Sequence, residues 1–304
     1  MGLLLLLLLP LMACNGLGSS GSASEGQPAD SAGSSIFAPA PASAVNPDFH
    51  LPSQVSLCGE PFDLSKRHVF ERLEFEFVRV ANHPAQIALW QRRAALFFPQ
   101  IEAGLKAEGL PDDLKYLAVA ESDLRPWIIS PAGALGLWQF MPATARSFGL
   151  TVNKSEDHRR LPVPLFGAAQ RYFKSLYAKF GSWHLAMAAY NGGDGRIGKA
   201  IAAQGTRNYA DLDLPRETER YVYRIAAIKL VLENPAIFGA KKTVPEVYHK
   251  AEKVIERKVE VPKGTTWPQL AKMVGCDYKT LRQLNPHILQ SSLSGSYLIR
   301  VPGK

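Results

Sequence analysis

Cysteine is scarce in this chain of 304 residues: Cys14, Cys58 and Cys276 are the full complement. They form no CxxC pair and have no metal-ligand spacing, so no metal site is expected. Cys58 and Cys276 lie near opposite ends of the folded region and allow two readings, a disulfide or two free buried thiols. The sequence also lacks HExxH, GxSxG and GxxxxGK[ST], which leaves metalloprotease, serine-hydrolase and nucleotide-binding readings without a motif. No cofactor is expected. Acidic residues are in deficit, with 27 Asp and Glu against 35 Lys and Arg, a formal charge of +8. That balance suits an anionic partner such as a carboxylate-rich polymer, and equally a basic surface that keeps the protein soluble.

Long apolar runs are missing too. "MGLLLLLLLPLMAC" is too short to span a bilayer and has the character of a secretory signal, although no Lys or Arg precedes it. Its ending, Leu11-Met12-Ala13-Cys14, resembles a bacterial lipobox. On that reading residues 1–13 are a signal peptide and lipid on Cys14 ties the chain to a membrane. Asn15 then favours the periplasmic face of the outer membrane. The alternative is an ordinary signal cut near Ala13. Residues 15–47 are Ser, Gly, Ala and Pro with almost no large apolar side chain. They cannot offset their ordering entropy by burial, so 14–47 is expected to be a flexible linker.

From about residue 65 the spacing of apolar residues is helical. "SKRHVFERLEFEFVRVAN" and "PAQIALWQRRAALFFPQIEAGLKAEG" make residues 48–104 a helical N-terminal extension. Leu110-Pro111-Asp112-Asp113 marks a helix start, with Pro111 just inside. In "VPLFGAAQRYFKSLYAKFG" one stripe contains Leu165, Ala168, Ala169, Tyr172, Phe173, Leu176 and Phe180, and Gly181 closes the helix. "SWHLAMAAY" is a short helix stopped by Asn191-Gly192-Gly193, and "PRETERYVYRIAAIKLVLENP" a last long one. No strand pattern interrupts residues 105–245, so the class is mainly α. After Pro245 the style changes. "EKVIERKVEVPKG" alternates as a strand, "TTWPQLAKMVG" and "DYKTLRQLNPHI" read as short helices, and "GSYLIRVPGK" as a closing strand. Residues 250–304 are therefore expected to form a small β-α-α-β module.

One residue breaks its helix's pattern. In "PDDLKYLAVAESDLRP" Leu114, Leu117, Ala118 and Glu121 fall at i, i+3, i+4 and i+7, so a carboxylate continues the apolar stripe in the last turn. Burial and the negative end of the helix dipole both disfavour the anion, raising the pKa. A carboxyl protonated near neutral pH can serve as a general acid. A buried glutamate held by an arginine or by backbone donors would give the same pattern. Downstream, "SPAGALGLWQFMP" offers Trp138, Phe140 and Met141 as flat apolar surface beside the amide of Gln139, a composition suited to sugar rings.

Glu121-Ser122, Ser130 to Pro142, Ala189-Tyr190-Asn191-Gly192-Gly193 and "LPRETERYVYRI" at 214–225 resemble, in order and spacing, four motifs of the soluble lytic transglycosylase family. Trp138 resembles its membrane-bound lytic murein transglycosylase D branch. The resemblance covers roughly residues 105–240 and implies a lysozyme-like helical fold acting on peptidoglycan glycan strands. It implies one catalytic residue, Glu121, which protonates the MurNAc–GlcNAc oxygen and then deprotonates the muramyl 6-hydroxyl to give a 1,6-anhydro ring. By the same resemblance, Tyr190 would hold Glu121 or the acetamido group, and Gln139 and Asn191 would contact sugar. Ser130 would bind the acetamido or 6-hydroxyl region. Ser122 is structural. Glu217 and Tyr221 line the groove near the peptide stem or brace the fold. Asp123 is expected to be solvated, His184 a satisfied helix residue, and Asp194 the candidate for any second carboxylate.

The C-terminal module resembles LysM, with Asn285-Pro286 as a landmark. Lys263-Gly264-Thr265-Thr266-Trp267 replaces the usual Gly-Asp-Thr-Leu, so glycan contact and a packed spacer both stay open. Rival functions are a hydrolytic muramidase, which would need a second carboxylate, and a non-catalytic peptidoglycan-binding lipoprotein. Nucleic acid is not an expected partner, and nothing in the sequence sets an oligomeric state.

Overall fold

The computed structural model describes residues 50–238, 244–246 and 253–303. The signal peptide, the linker and Cys14 lie outside the described residues. The chain is mainly helical. Two-residue strands β1 (Ser56–Leu57) and β2 (Glu60–Pro61) pair antiparallel. They precede the helices α1 (Arg67–Ala81) and α2 (Pro84–Ala107). A 3₁₀ turn, Asp112–Leu114, leads into α3 (Lys115–Ser122), so Pro111 stands just outside the helical residues, not inside them. Then follow α4 (Pro142–Ser147), α5 (Pro162–Phe180), α6 (Trp183–Gly192), α7 (Asp194–Gln204) and α8 (Arg216–Glu233).

Apolar side chains from Val55 to Phe238 form one continuous cluster. Helices α1 and α2 contribute Val69, Leu73, Phe77, Ile87, Trp90 and Leu105 to it, so they share the core of the helices that follow. The interface of α1 with α8 also carries charge. Arg72 pairs with Glu219, and Glu76, 1% exposed, is approached by Arg79, Arg220 and Arg224. The β1–β2 hairpin turns through Cys58 and Gly59, both with positive φ. It brings Glu60 to the start of α6, where the carboxylate accepts from Ser182 Oγ (2.8 Å) and from the backbone N–H groups of Trp183 and His184. An anion there satisfies orphan helix donors and opposes the positive dipole end. The hairpin thereby steadies the helix that carries Tyr190 and Asn191.

His184 is not fully satisfied. It is buried and stacked on Phe62, and its Nε2 has no hydrogen-bond partner among the described residues. Cys58 and Cys276 are free thiols, as in the second reading, though only half-buried.

The C-terminal module has its own smaller core, built around Trp267, Leu270, Leu281, Leu293 and Ile299. Strand β3 (Val254–Thr266) pairs antiparallel with β4 (Ser292–Pro302), and α9 (Trp267–Val274) and α10 (Tyr278–Leu284) connect them. The β-α-α-β order is the one expected. Thr266 and Gln269 form a reciprocal capping box that starts α9, and Gly275 ends it in the left-handed conformation.

Candidate active site

Helix α3 is short and packed on nearly every side: Leu114, Leu117 and Ala118 are fully buried. Its end is sharp. Asp123 (φ 53°) and Leu124 (φ 56°) are consecutive non-glycine residues in the left-handed region. That conformation costs roughly 1–2 kcal/mol per residue and persists only where neighbours impose it. Here they do. Asp123 Oδ1 accepts from Trp90 Nε1 (2.9 Å), its Oδ2 from Arg125 Nη2 (3.0 Å), and its carbonyl from Arg93 Nη1 (2.9 Å), while Leu124 is 1% exposed. Asp123 is thus a bound residue of the turn, contrary to the solvated role expected of it. Glu121 is left in the last helical turn, half-buried.

The Tyr221 hydroxyl, from α8, donates to Glu121 Oε1. Burial pushes the Glu121 carboxyl from 4.5 up to about 7, with the nearby Glu217 charge adding to the rise. The Tyr221 hydrogen bond and the Arg224 guanidinium pull the other way. Glu217, Tyr221 and Arg224 stand at i, i+4 and i+7 on α8, so one stripe of that helix faces the carboxyl. Of the two contacts expected of Tyr190, with Glu121 or with the acetamido group, the first is not made here. The Tyr190 hydroxyl donates to the Trp138 carbonyl (2.6 Å), and Tyr221 takes the place beside the carboxyl. Both phenols feel the Glu121 charge, which with burial raises their pKa values well above 10.

The segment from Ile128 to Phe140 is a folded loop. Leu135 and Phe140 exchange backbone hydrogen bonds of 3.1 Å, and Gly136 N–H donates to the Ile128 carbonyl (3.2 Å). Gly136 has φ 88°, and a Cβ there would lie 2.5 Å from both the Arg159 carbonyl and Leu165 Cδ2, so only glycine fits. Ser130 Oγ accepts from Ala134 N–H (3.0 Å), which engages the hydroxyl in the loop itself. Gln139 holds a positive φ of 44°, with its Nε2 donating to the carbonyls of Ile128 (3.1 Å) and Gly136 (2.9 Å). Ser122 Oγ lies 3.0 Å from the Ala118 carbonyl and 2.9 Å from that of Leu137, joining α3 to the loop in the structural role anticipated. Arg159, which the sequence did not single out, donates to the Gly133 and Phe140 carbonyls at 2.8 and 2.9 Å.

The apolar surface expected from Trp138 and Phe140 is absent from the groove. Both are buried, at 0% and 2% exposure, with Trp138 stacked on Phe166 and edge-on to Phe173; Met141 alone of the three is exposed. Their size lets α5 and α6 fix the loop. Among the described aromatic residues Trp127 is instead the most exposed, at 70%.

Asn191 closes α6, and its Oδ1 accepts from Thr218 Oγ1 (2.9 Å) in the first turn of α8, next to the exposed Glu217. Asp194 opens α7, exposed and paired with Lys179. That pairing holds its carboxyl below the usual range, the opposite of what a proton donor needs. The structure therefore gathers Glu121, Tyr221 and Glu217, with Tyr190 and Asn191 one contact away, while Ser130 and Gln139 belong to the loop. Glu76 and Arg224 were also missed; Glu76 carries the same signal as Glu121, because it follows Val69 and Leu73 on the buried stripe of α1 as Glu121 follows Leu114 and Leu117.

Comparison with known proteins finds related chains. Residues 98–212 match the model of the transglycosylase SLT domain. The chain is 33% identical over 220 residues to membrane-bound lytic murein transglycosylase D of Escherichia coli strain K12, covering 70% of this chain and 47% of that protein. It thus spans about half the length of that relative. Over 89 residues it is 40% identical to peptidoglycan transglycosylase gp16 of Escherichia phage T7, which is 29% of this chain and 7% of that one. Among solved structures, the 70 kDa soluble lytic transglycosylase of Escherichia coli aligns with a TM-score of 0.39 at 24% identity, over 48% of this chain and 25% of that one. Residues 98–212 are thus similar to the transglycosylase SLT domain.

Proposed function

We propose that this protein is a peptidoglycan lytic transglycosylase that cleaves the MurNAc–GlcNAc β-1,4 bond without water. The observation that carries the reading is a half-buried Glu121 whose carboxyl, at about 7, is poised to give and take a proton near neutrality. Protonated Glu121 donates to the glycosidic oxygen as the C1–O bond breaks, leaving an oxocarbenium-like centre that the acetamido group shields. The Glu121 carboxylate then removes the proton from the muramyl 6-hydroxyl, and O6 closes on C1. One residue acts as acid and then base, unlike the usual two-carboxylate glycosidase. Gln139 and Asn191 sit on the backbone turns that would meet the sugar, and Ser130 and Tyr190 hold those turns in shape. Membrane anchoring through lipid on Cys14, at the periplasmic face of the outer membrane, belongs to the same reading. So does glycan contact by the C-terminal module, where Tyr278 is exposed and Arg282 lies 4.1 Å over the buried Trp267 ring.

A hydrolytic muramidase is the second reading, favoured by Glu217, which shares the electrostatic surroundings of Glu121. Mass spectrometry of muropeptides released from purified peptidoglycan separates the two. Products lighter by one water and without a reducible muramyl end are expected; reducible ends would replace the lyase by the hydrolase and make Glu217 its second carboxylate.

The Tyr221→Phe variant tests the acid. Losing a donor to the anion disfavours ionisation, so the Glu121 pKa rises. The high-pH limb of kcat/KM, expected near 7 in the parent, should move to higher pH, with the maximal rate lowered by about 10- to 100-fold as the carboxyl loses its positioning contact. A limb that stayed in place would mean another group sets it.

A further inference from the structure

Between the helical body and the C-terminal module lies a cleft of about 490 Å3. Its walls are joined by main chain: Asp157 N–H donates to the His287 carbonyl and Leu289 N–H to the Ser155 carbonyl, both at 2.8 Å. Leu161 and Leu284 supply apolar surface from the two sides, and the Trp127 indole, 70% exposed, stands at the wall contributed by the segment after α3. The charged groups are of one sign. Arg160 comes from the body and Arg300 from β4, with the Gln283 amide beside them, and no carboxylate is among the lining residues. Arg160 Nε is buried without a hydrogen-bond partner among the described residues, and Arg300 Nε, also unbonded, lies 3.4 Å from Glu256. The Arg300 backbone is fixed by Asn285, whose Oδ1 accepts from its N–H (2.9 Å) and whose Nδ2 donates to its carbonyl (2.7 Å).

We propose that this cleft is a binding site for a carboxylate-bearing saccharide, with the Trp127 indole against the sugar face and Arg160 and Arg300 on the carboxylate. An aromatic plane with a few convergent polar groups is the make-up of a site for rings with apolar faces, and two guanidiniums select an anionic substituent. A neutral polysaccharide would leave the Arg160 guanidinium without a counter-charge, at a desolvation cost, and would add none to the Glu256 carboxylate 3.4 Å from Arg300. Trp127 follows Glu121 by six residues, so the two backbones are at most about 20 Å apart even if the chain between them were fully extended. The proposal rests on the peptidoglycan reading to this extent: the ligand is then the muramyl-peptide segment of the strand engaged at Glu121, and the cleft contributes specificity for acidic stem peptides.

Equilibrium titration decides it, in the full chain carrying Glu121→Gln so that nothing is turned over. The probes are the disaccharide GlcNAc–MurNAc with its tetrapeptide, the same compound with its carboxylates amidated, and chitotetraose. Arg160→Gln with Arg300→Gln should weaken binding of the acidic probe at least tenfold, and change the amidated probe and chitotetraose less than twofold. Trp127→Ala, at an exposed position that folding does not depend on, should weaken all three by threefold or more. Equal losses for acidic and amidated probes in the double variant, or no loss in either variant, would overturn the assignment. If the wild-type chain released no muropeptides the lyase reading would fall, and these titrations, which involve no cleavage, would still decide the cleft.

Discussion

Replacing Glu121 by Gln should abolish glycan cleavage, by at least about 1000-fold, and at the same time make the protein more stable above pH 7. The first effect follows from the chemistry: an amide can neither donate the proton to the leaving oxygen nor recover one, and general acid–base transfer alone accounts for about 100- to 10000-fold. The second follows from the sign of the pKa shift. The carboxyl titrates at about 7 in the folded chain against 4.5 for an unperturbed glutamate, so the folded state binds the proton more tightly than the unfolded state does. Below 4.5 both states are protonated and the residue imposes no penalty. As pH rises from there to 7 the unfolded chain ionises first and stability falls; above 7 the loss is complete. At full value a displacement of that size corresponds to about 3 kcal/mol. Because Glu121 is only half-buried, solvent screening reduces this, and about 1–2 kcal/mol is the expected gain for the neutral isostere at pH 8. Denaturant unfolding at pH 4 and pH 8 measures it. An equal stability difference at both pH values would show that the carboxyl is not held against ionisation, and the case for a protonated acid at neutral pH would go with it.

The same physics explains why this residue was legible and others were not. A helix buries residues at i, i+3, i+4 and i+7 whatever their chemistry, so a carboxylate on that stripe is visible in the sequence. Its partner is not. Tyr221 lies 100 positions away on α8, and nothing local distinguishes it from Tyr190, because both are tyrosines near one end of a helix. Which phenol reaches the carboxyl depends on the crossing of α3, α6 and α8. Trp138 is ambiguous in the sequence for a related reason: glycines and an aromatic in a loop suit either a ligand platform or an anchor, and only packing against Phe166 and Phe173 decides for the anchor. The β-α-α-β module was readable throughout, since period-2 strands, the cap at Thr266 and Gly275 are local signals. Helix α7 was not. Its Gly195 and Gly198 weaken the pattern, and the glycine pair before it reads as turn.

Glu76 is the residue whose loss should damage the fold most. It is 1% exposed, and Arg220, Arg224 and Arg79 converge on its carboxylate, across the interface of α1 and α8. Removing one member of a buried ionic cluster leaves the others desolvated and unpaired, so Glu76→Ala should lose about 3–5 kcal/mol of folding stability. Arg220 Nη2 is already without a hydrogen-bond partner among the described residues, so little slack exists to absorb the change. The consequence reaches the candidate acid, because Arg224 bridges the cluster to Glu121. In Glu76→Gln the shape is kept and one negative charge is removed, which leaves the Arg224 charge less neutralised. The field at Glu121 becomes more positive, ionisation is favoured, and its pKa falls. The high-pH limb of kcat/KM should therefore move to lower pH, opposite to the shift expected for Tyr221→Phe. Opposite shifts in the two variants would establish Glu76 as a positioning residue acting through Arg224. A loss of stability with the limb unmoved would reduce it to a brace between two helices.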